Sequence, residues 1–232
     1  MSDDVIGAAL LDFYNNNYST DIIVKSSITS DDIIPVPYLF RSEEELPDIE
    51  KKALEFCKGS VLDVGAGSGC HSILLQQKKI NVAAIDTSEG AVEVMKARGL
   101  NAEKNNFFDS IGNYDTLLFL MNGIGISGTI EGLKSFLLKA KSLMNDGGQI
   151  LLNSSDISYM FKEEDGYMWV NLKTSYYGEV VYQMEYKNLV SEKFNWLFVD
   201  FSTLEAIASE FGFKAKIVLE GESNDYLAQL TI

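Results

Sequence analysis

Val61-Leu62-Asp63-Val64-Gly65-Ala66-Gly67-Ser68-Gly69 is a short apolar run that ends in three alternate glycines. The run has the length and character of a strand buried in a parallel sheet. Glycine has no Cβ, so the backbone at 65, 67 and 69 can turn tightly and approach a bound group. A helix follows over Cys70 to Lys78. Val82-Ala83-Ala84-Ile85 is a second apolar strand, closed by Asp86 roughly 20 residues beyond the first glycine. A carboxylate there can accept both vicinal hydroxyls of a ribose, in the crevice outside the carboxyl ends of parallel strands. Strand, glycine loop, helix and distant acid together specify a nucleoside-containing cofactor.

Downstream the rhythm continues. Ser88 caps a helix from Glu89 to Arg98, and Gly99 closes it. A short strand lies near Asn101–Lys104, and Thr116 to Leu120 is an unbroken apolar strand. A helix runs from Thr129 to about Met144. Asp146-Gly147-Gly148 turns into a strand over Gln149–Leu152. Apolar strands alternating with helices predict a doubly wound, mostly parallel α/β sheet covered on both faces. Residues 59–232 read as that domain, with an inserted antiparallel β subdomain over about 156–200, where apolar and polar residues alternate with period two. A helix over Ser202–Glu210 and strands over Ala215–Leu219 and Tyr226–Ile232 close the chain.

Upstream, residues 1–58 read as a helical and extended cover. Val5 to Tyr14 is amphipathic, and Ser42 is placed to cap a helix reaching Cys57, with Leu46, Ile49, Ala53 and Leu54 on its apolar face. The acids Glu43 to Glu45 suit its first turn. Pro35-Val36-Pro37-Tyr38-Leu39-Phe40 is extended and aromatic, which suits a lid over the cofactor and the acceptor entrance.

Composition narrows the function classes. The formal charge of −15 opposes phosphate backbones, so no nucleic-acid partner is expected. No run is long and apolar enough for a membrane span, and the acidic start is unlike an export signal. Cys57 and Cys70 read as reduced thiols of a cytoplasmic protein. One histidine and two cysteines are too few for the usual zinc site, so no metal is expected. A monomer or homodimer is expected, a dimer through outward-facing aromatics of the insertion.

A dinucleotide fingerprint would place its third glycine at 70, where the chain has Cys70. Asp63 would repel a pyrophosphate but suits an amine and a sulfonium. Both features turn the reading from a nicotinamide cofactor to S-adenosylmethionine. The segment resembles motif I of class I S-adenosylmethionine-dependent methyltransferases, and the likeness runs over about residues 59–153. Ala84 to Ser88 looks like the second motif, with its ribose-binding acid. Asn105-Asn106-Phe107 aligns with the segment after the third strand, Asn106 standing where an Asp is usual. Tyr114 to Leu118 resembles the fourth-strand entry, and Asp146-Gly147-Gly148 a turn that usually begins with Pro. The whole chain also resembles bacterial methyltransferase-like proteins that share Phe40-Arg41 and Trp196-Leu197-Phe198.

The resemblance implies a Rossmann-like sheet of seven strands, the last antiparallel. It implies S-adenosylmethionine as cofactor, S-adenosylhomocysteine as product and transfer of a methyl to an O, N, C or S atom; the aromatic insertion and the charge of −15 suit a small-molecule acceptor. The expected cofactor residues are Asp63, Gly65, Ala66, Gly67, Gly69, Asp86, Thr87, Asn106, Phe107 and Met121. Asn122, after the fourth strand, lies where methyl and acceptor meet. The aromatic insertion is expected to wall the acceptor chamber, with Tyr177 and Tyr186 as contacts. The family has no fixed catalytic residue, so none is assigned. His71 reads as a solvent-facing or capping side chain instead of a base. A non-catalytic, S-adenosylmethionine-binding regulatory or scaffold protein is the alternative.

Overall fold

The computed structural model describes residues 3–161 and 175–232. The elements in chain order begin with α1 (Val5–Tyr14), β1 (Ile22–Ser26), β2 (Asp32–Ile34) and α2 (Asp48–Phe56). Next come β3 (Ser60–Val64), α3 (Cys70–Gln77), β4 (Asn81–Asp86), α4 (Glu89–Ala97), β5 (Ala102–Lys104), β6 (Tyr114–Phe119), α5 (Ile130–Leu143) and β7 (Met144–Ser155). The chain closes with β8 (Glu179–Tyr186), β9 (Leu189–Val190), β10 (Phe194–Leu197), α6 (Phe201–Glu210), β11 (Lys214–Glu220) and β12 (Asp225–Thr231).

The main sheet has seven strands in the order β11-β12-β7-β6-β3-β4-β5. β7, β6, β3, β4 and β5 are parallel, while β12 runs antiparallel to β7, and β11 to β12. This is the expected doubly wound sheet with its reversed end. Leu117, Leu118 and Phe119 of β6 are fully buried, as an unbroken apolar run in a sheet covered on both faces requires. The rings of Phe107, Phe119 and Phe136 meet beneath α5, with centroids 4.8–5.1 Å apart.

The first 58 residues are not simply a helical layer. β1 and β2 join β8 and β10 in a second, antiparallel sheet of order β10-β8-β1-β2, with β9 paired to β8. The inserted strands thus pair with the N-terminal segment, register Ile23 to Glu185 and Ser26 to Tyr182. Two local expectations also change. The helix expected from Ser42 begins instead after Pro47, whose missing N–H and fixed φ suit a helix start. Ser42 makes a turn, its N–H donating to the Glu45 carboxylate at 2.8 Å. Pro35–Phe40, expected to be extended, winds into a 3-10 turn over Val36–Phe40.

α1 lies against α4, closely enough at the glycines that a Cβ on Gly90 would sit 2.6 Å from the Gly7 Cα. Asp4 serves both helices. Its Oδ1 accepts from Gly7 N at 2.9 Å, and its Oδ2 accepts from Gly90 N at 3.0 Å and Ser88 Oγ at 3.0 Å. This docks the N-terminal segment immediately behind Asp86.

Candidate active site

The carboxyl edge of the main sheet carries two half-sites. The first lies over β3 and β4. Gly65, Gly67 and Gly69 all have positive φ (69°, 56° and 79°), a region costly for side-chain-bearing residues. The loop is pinned to β4: Gly65 N and Ala66 N donate to Ile85 O at 2.9 and 3.1 Å, and Gly67 N donates to Asp86 Oδ2 at 2.9 Å. Asp86 Oδ1 accepts from Ser88 N at 2.9 Å. Each carboxylate oxygen keeps a lone pair for a ribose hydroxyl. Burial raises the Asp86 pKa, and these two backbone N–H groups oppose the rise.

The glycines divide by role. A Cβ on Gly65 or Gly67 would meet nothing within 4 Å, whereas on Gly69 it would run into Leu100 and Met95. Gly65 and Gly67 therefore shape an open cradle, and Gly69 lets α3 pack close. Asp63 is 2% exposed beneath the loop and accepts from Ser72 Oγ at 2.7 Å, tying β3 to α3. Burial raises its pKa. Thr87 is exposed at the end of β4. Asn106 is exposed, and its Oδ1 accepts from Phe108 N at 2.9 Å, capping a 3-10 turn. The Phe107 ring is in the core, so it has only backbone to offer a ligand.

The second half-site is a cavity of about 350 Å³ over β6, β7 and the start of β12. Met121 and Asn122 stand at its border with the first, consecutive non-glycine residues with φ of 54° and 55°. Such strained backbone persists where surrounding structure enforces it, and it clusters at functional sites. Asn122 N donates to Asn153 Oδ1 at 3.0 Å, and its Nδ2 donates to Leu197 O of β10 at 3.1 Å. Asn153, Ser155 and Asp225 form the strand side of the cavity, and Tyr38, Ile49 and Glu50 the N-terminal side.

Behind that wall is a buried ionic cluster that the sequence reading did not single out. Glu50 Oε2 accepts from Arg41 Nη2 at 2.6 Å and meets His71 Nε2 at 2.6 Å, all three side chains nearly inaccessible. Arg41 also stacks on the Tyr38 ring at 3.6 Å. Burial alone would lower the His71 pKa, but Cys70 and Glu50, with Asp63 beyond, push it up to about 10. His71 is therefore a buried cation at neutral pH and not a solvent-facing cap. The signal in the sequence was Glu50 itself, a charge set inside the apolar stripe of Leu46, Ile49, Ala53 and Leu54.

Two expected acceptor contacts fall elsewhere. Tyr186 is fully buried against Val5, Ala9 and Ile22, and its hydroxyl donates to Asp12 at 3.0 Å. Tyr177 donates to Asp156 Oδ1 at 2.8 Å and to Asp200 Oδ2 at 3.2 Å, at the start of α6. Neither lines the cavity, and no aromatic of the described insertion does. Trp196 instead props the loop after β6: a Cβ on Gly125 would run into it. Tyr167 and Trp169 lie outside the described residues. Among the described residues no cluster of His, Cys, Asp or Glu could hold a metal, and no helix is long and apolar enough to cross a membrane.

No protein-family model matches the chain, and no curated protein matches it. Solved structures do. An S-adenosylmethionine-dependent methyltransferase from Bacteroides fragilis, crystallised with S-adenosyl-L-homocysteine, is 45% identical, with a TM-score of 0.93 over 99% of this chain and 94% of that one. CalS10, an amino pentose methyltransferase from Micromonospora echinaspora, shares the fold at 15% identity and a TM-score of 0.58, over 84% and 93%. A methyltransferase from Clostridium acetobutylicum does so at 11% and 0.56, over 82% and 93%. With the glycine cradle and Asp86 in place, and at that first identity and coverage, the chain belongs to the S-adenosylmethionine-dependent methyltransferases and uses S-adenosylmethionine as its cofactor.

Proposed function

We propose that S-adenosylmethionine lies over β3 and β4, and that its methyl passes to a small molecule in the cavity over β6, β7 and β12. The observation that carries this reading is the cradle at Gly65 and Gly67, open to 4 Å, with Asp86 beside it. In this reading Asp86 holds the ribose hydroxyls, and Gly65, Ala66 and Gly67 admit the cofactor close to the backbone. Asn106 and the Phe107 backbone face the adenine, with Thr87 beside the ribose. Gly69 and Asp63 act from beneath, by packing and by charge. Met121 lies where the sulfonium meets the acceptor.

Bound S-adenosylmethionine supplies an already activated methyl group. The task left to the chain is to align a nucleophile and exclude water, and orientation of this kind supplies about 7–11 kcal/mol. The N-terminal segment serves as cover. A tie to the loop supports this: Ser68 Oγ donates to Leu39 O. A small acceptor agrees with a cavity of about 350 Å³ and with a net charge of −15, which opposes nucleic acid. The reading includes a cytoplasmic bacterial protein, monomeric or homodimeric.

Calorimetry with S-adenosylhomocysteine tests it. Wild type binds, and Asp86→Ala weakens binding at least about tenfold, because charge-assisted hydrogen bonds of about 1.5–3 kcal/mol each are lost. Absence of wild-type binding at millimolar ligand overturns the reading.

A further inference from the structure

Two glycines at the N-terminal junction have no conformational reason to be glycine. Gly7 lies within α1 and Gly90 within α4, and neither has a positive φ. Glycine inside a helix is less stable than alanine, so close approach is the remaining reason for both. A Cβ on Gly7 would lie 2.3 Å from Asp4 Oδ2 and 2.5 Å from Ser88 Oγ, and a Cβ on Gly90 would lie 2.6 Å from the Gly7 Cα. What the two glycines make room for is the meeting of Asp4 with the start of α4.

The residue type at position 4 points the same way. α1 needs one acceptor for Gly7 N, and a Ser, Thr or Asn would supply it without a charge. The charge is unfavourable for its neighbour: burial is the main cause of the raised Asp86 pKa, and Asp4 adds to the rise. A carboxylate is nevertheless what the contacts require. Its Oδ1 accepts from Gly7 N, and its Oδ2 accepts from both Ser88 Oγ and Gly90 N. Asn and Ser each have one acceptor oxygen, too few to face both helix starts.

Ser88 carries the contact on towards the cofactor. Its Oγ donates to Asp4 and accepts from Ala91 N at 3.0 Å, and its N–H donates to Asp86 Oδ1 at 2.9 Å. The other Asp86 oxygen accepts from Gly67 N at 2.9 Å. One N–H on each oxygen sets the plane of the carboxylate, and one of the two belongs to the residue that Asp4 holds. That plane matters because hydrogen bonds weaken steeply as they bend. We infer that Asp4 is a positioning residue for the cofactor, aiming the Asp86 carboxylate at the ribose hydroxyls through Ser88; this rests on the ribose placement proposed above. The N-terminal segment is then part of the ribose site as well as its cover. Asp4 itself touches no ligand and takes no part in methyl transfer.

The test is calorimetry on the full chain with S-adenosylhomocysteine and with its 2′,3′-dideoxyribose analogue, which lacks both hydroxyls. The ratio of the two affinities reads the ribose contacts alone, and in wild type it should be about tenfold or more. Two variants disturb the junction by different means. Asp4→Asn keeps the shape and removes one carboxylate oxygen, whereas Gly7→Ala keeps Asp4 and drives a methyl between it and Ser88. Circular dichroism establishes that each variant is folded, and each carries the reading without the other. Because Asp4 is exposed, each should weaken S-adenosylhomocysteine by only about three- to tenfold. The dideoxy analogue should stay within about twofold of wild type, so the ratio falls. A junction that only fastens the cover would lower both affinities alike or neither. Equal losses for the two ligands, or unchanged S-adenosylhomocysteine affinity in the folded variants, therefore overturn the inference, while the wild-type ratio keeps Asp86 at the ribose. A wild type that binds the two ligands alike, or binds neither, removes Asp86 from the ribose and the inference with it.

Discussion

The two halves of the carboxyl edge are built by different means. Over β3 and β4 the site is mostly backbone: a loop with positive φ, N–H groups donated to Ile85 O, and one carboxylate from the next strand. Over β6, β7 and β12 it is mostly side chains, brought from residues as distant as Tyr38, Glu50, Asn122 and Asp225. A backbone site is specified by which residues lack side chains, and it recurs wherever the same glycines follow the same strand. A side-chain site is specified by what each segment brings, so it can differ between proteins of one fold. The contrast explains how one sheet serves many acceptors while keeping one cofactor.

The contrast can be broken or sharpened. The largest effect is expected at Glu50, whose removal leaves Arg41 and His71 buried without their shared partner. Glu50→Ala should lower unfolding free energy by about 3–5 kcal/mol in chemical denaturation. A loss below 1 kcal/mol would mean that the cluster does not hold the acceptor half together. Next is Gly67→Val, which fills the open cradle. S-adenosylhomocysteine affinity should fall at least about a hundredfold, while stability falls only by the left-handed backbone strain of about 1–2 kcal/mol. Retained affinity in a folded variant would show that the loop does not touch the cofactor.

The last effect is a slope, read per pH unit. His71 titrates near 6.5 in an unfolded chain and at about 10 in the fold. A raised folded pKa gives stability that is complete below pH 6.5 and is lost as pH rises towards 10. Between these limits unfolding free energy should fall by about 1 kcal/mol per pH unit from this group. His71→Gln should flatten the slope, as measured by urea melts at pH 7 and 9. Equal slopes in both proteins would place the proton elsewhere.

The same contrast governs what could be read from the sequence. α1 was legible to the residue, because Ile6, Ala9, Leu10 and Phe13 repeat at helical spacing. The alternation of parallel strands with helices, and the glycine loop followed by Asp86 at the end of the next strand, were legible, because both are local patterns. β1 and β2 were not: both are short, and the strand that ties β1 into a sheet, β8, lies more than 100 residues away. Tyr186 was expected at the acceptor, and it lies instead in the core under α1. Alternation tells the two faces of a strand apart but not what covers each face. Cys57 is another case: its thiol is pushed up to about 12 chiefly by burial, and it acts as a small core residue.

Asp4 gives the N-terminal segment a mechanical character. One carboxylate closes the first turn of α1 and the first turn of α4 together, beside a glycine–glycine crossing that leaves no slack. A gradual slide of α1 along α4 would strand N–H groups on both helices at the outset. Sliding of α1 along α4 is therefore opposed from its first step by the hydrogen bonds of both helix starts. Because α4 starts just after Asp86, this junction and the carboxylate proposed to hold the ribose share one stretch of backbone.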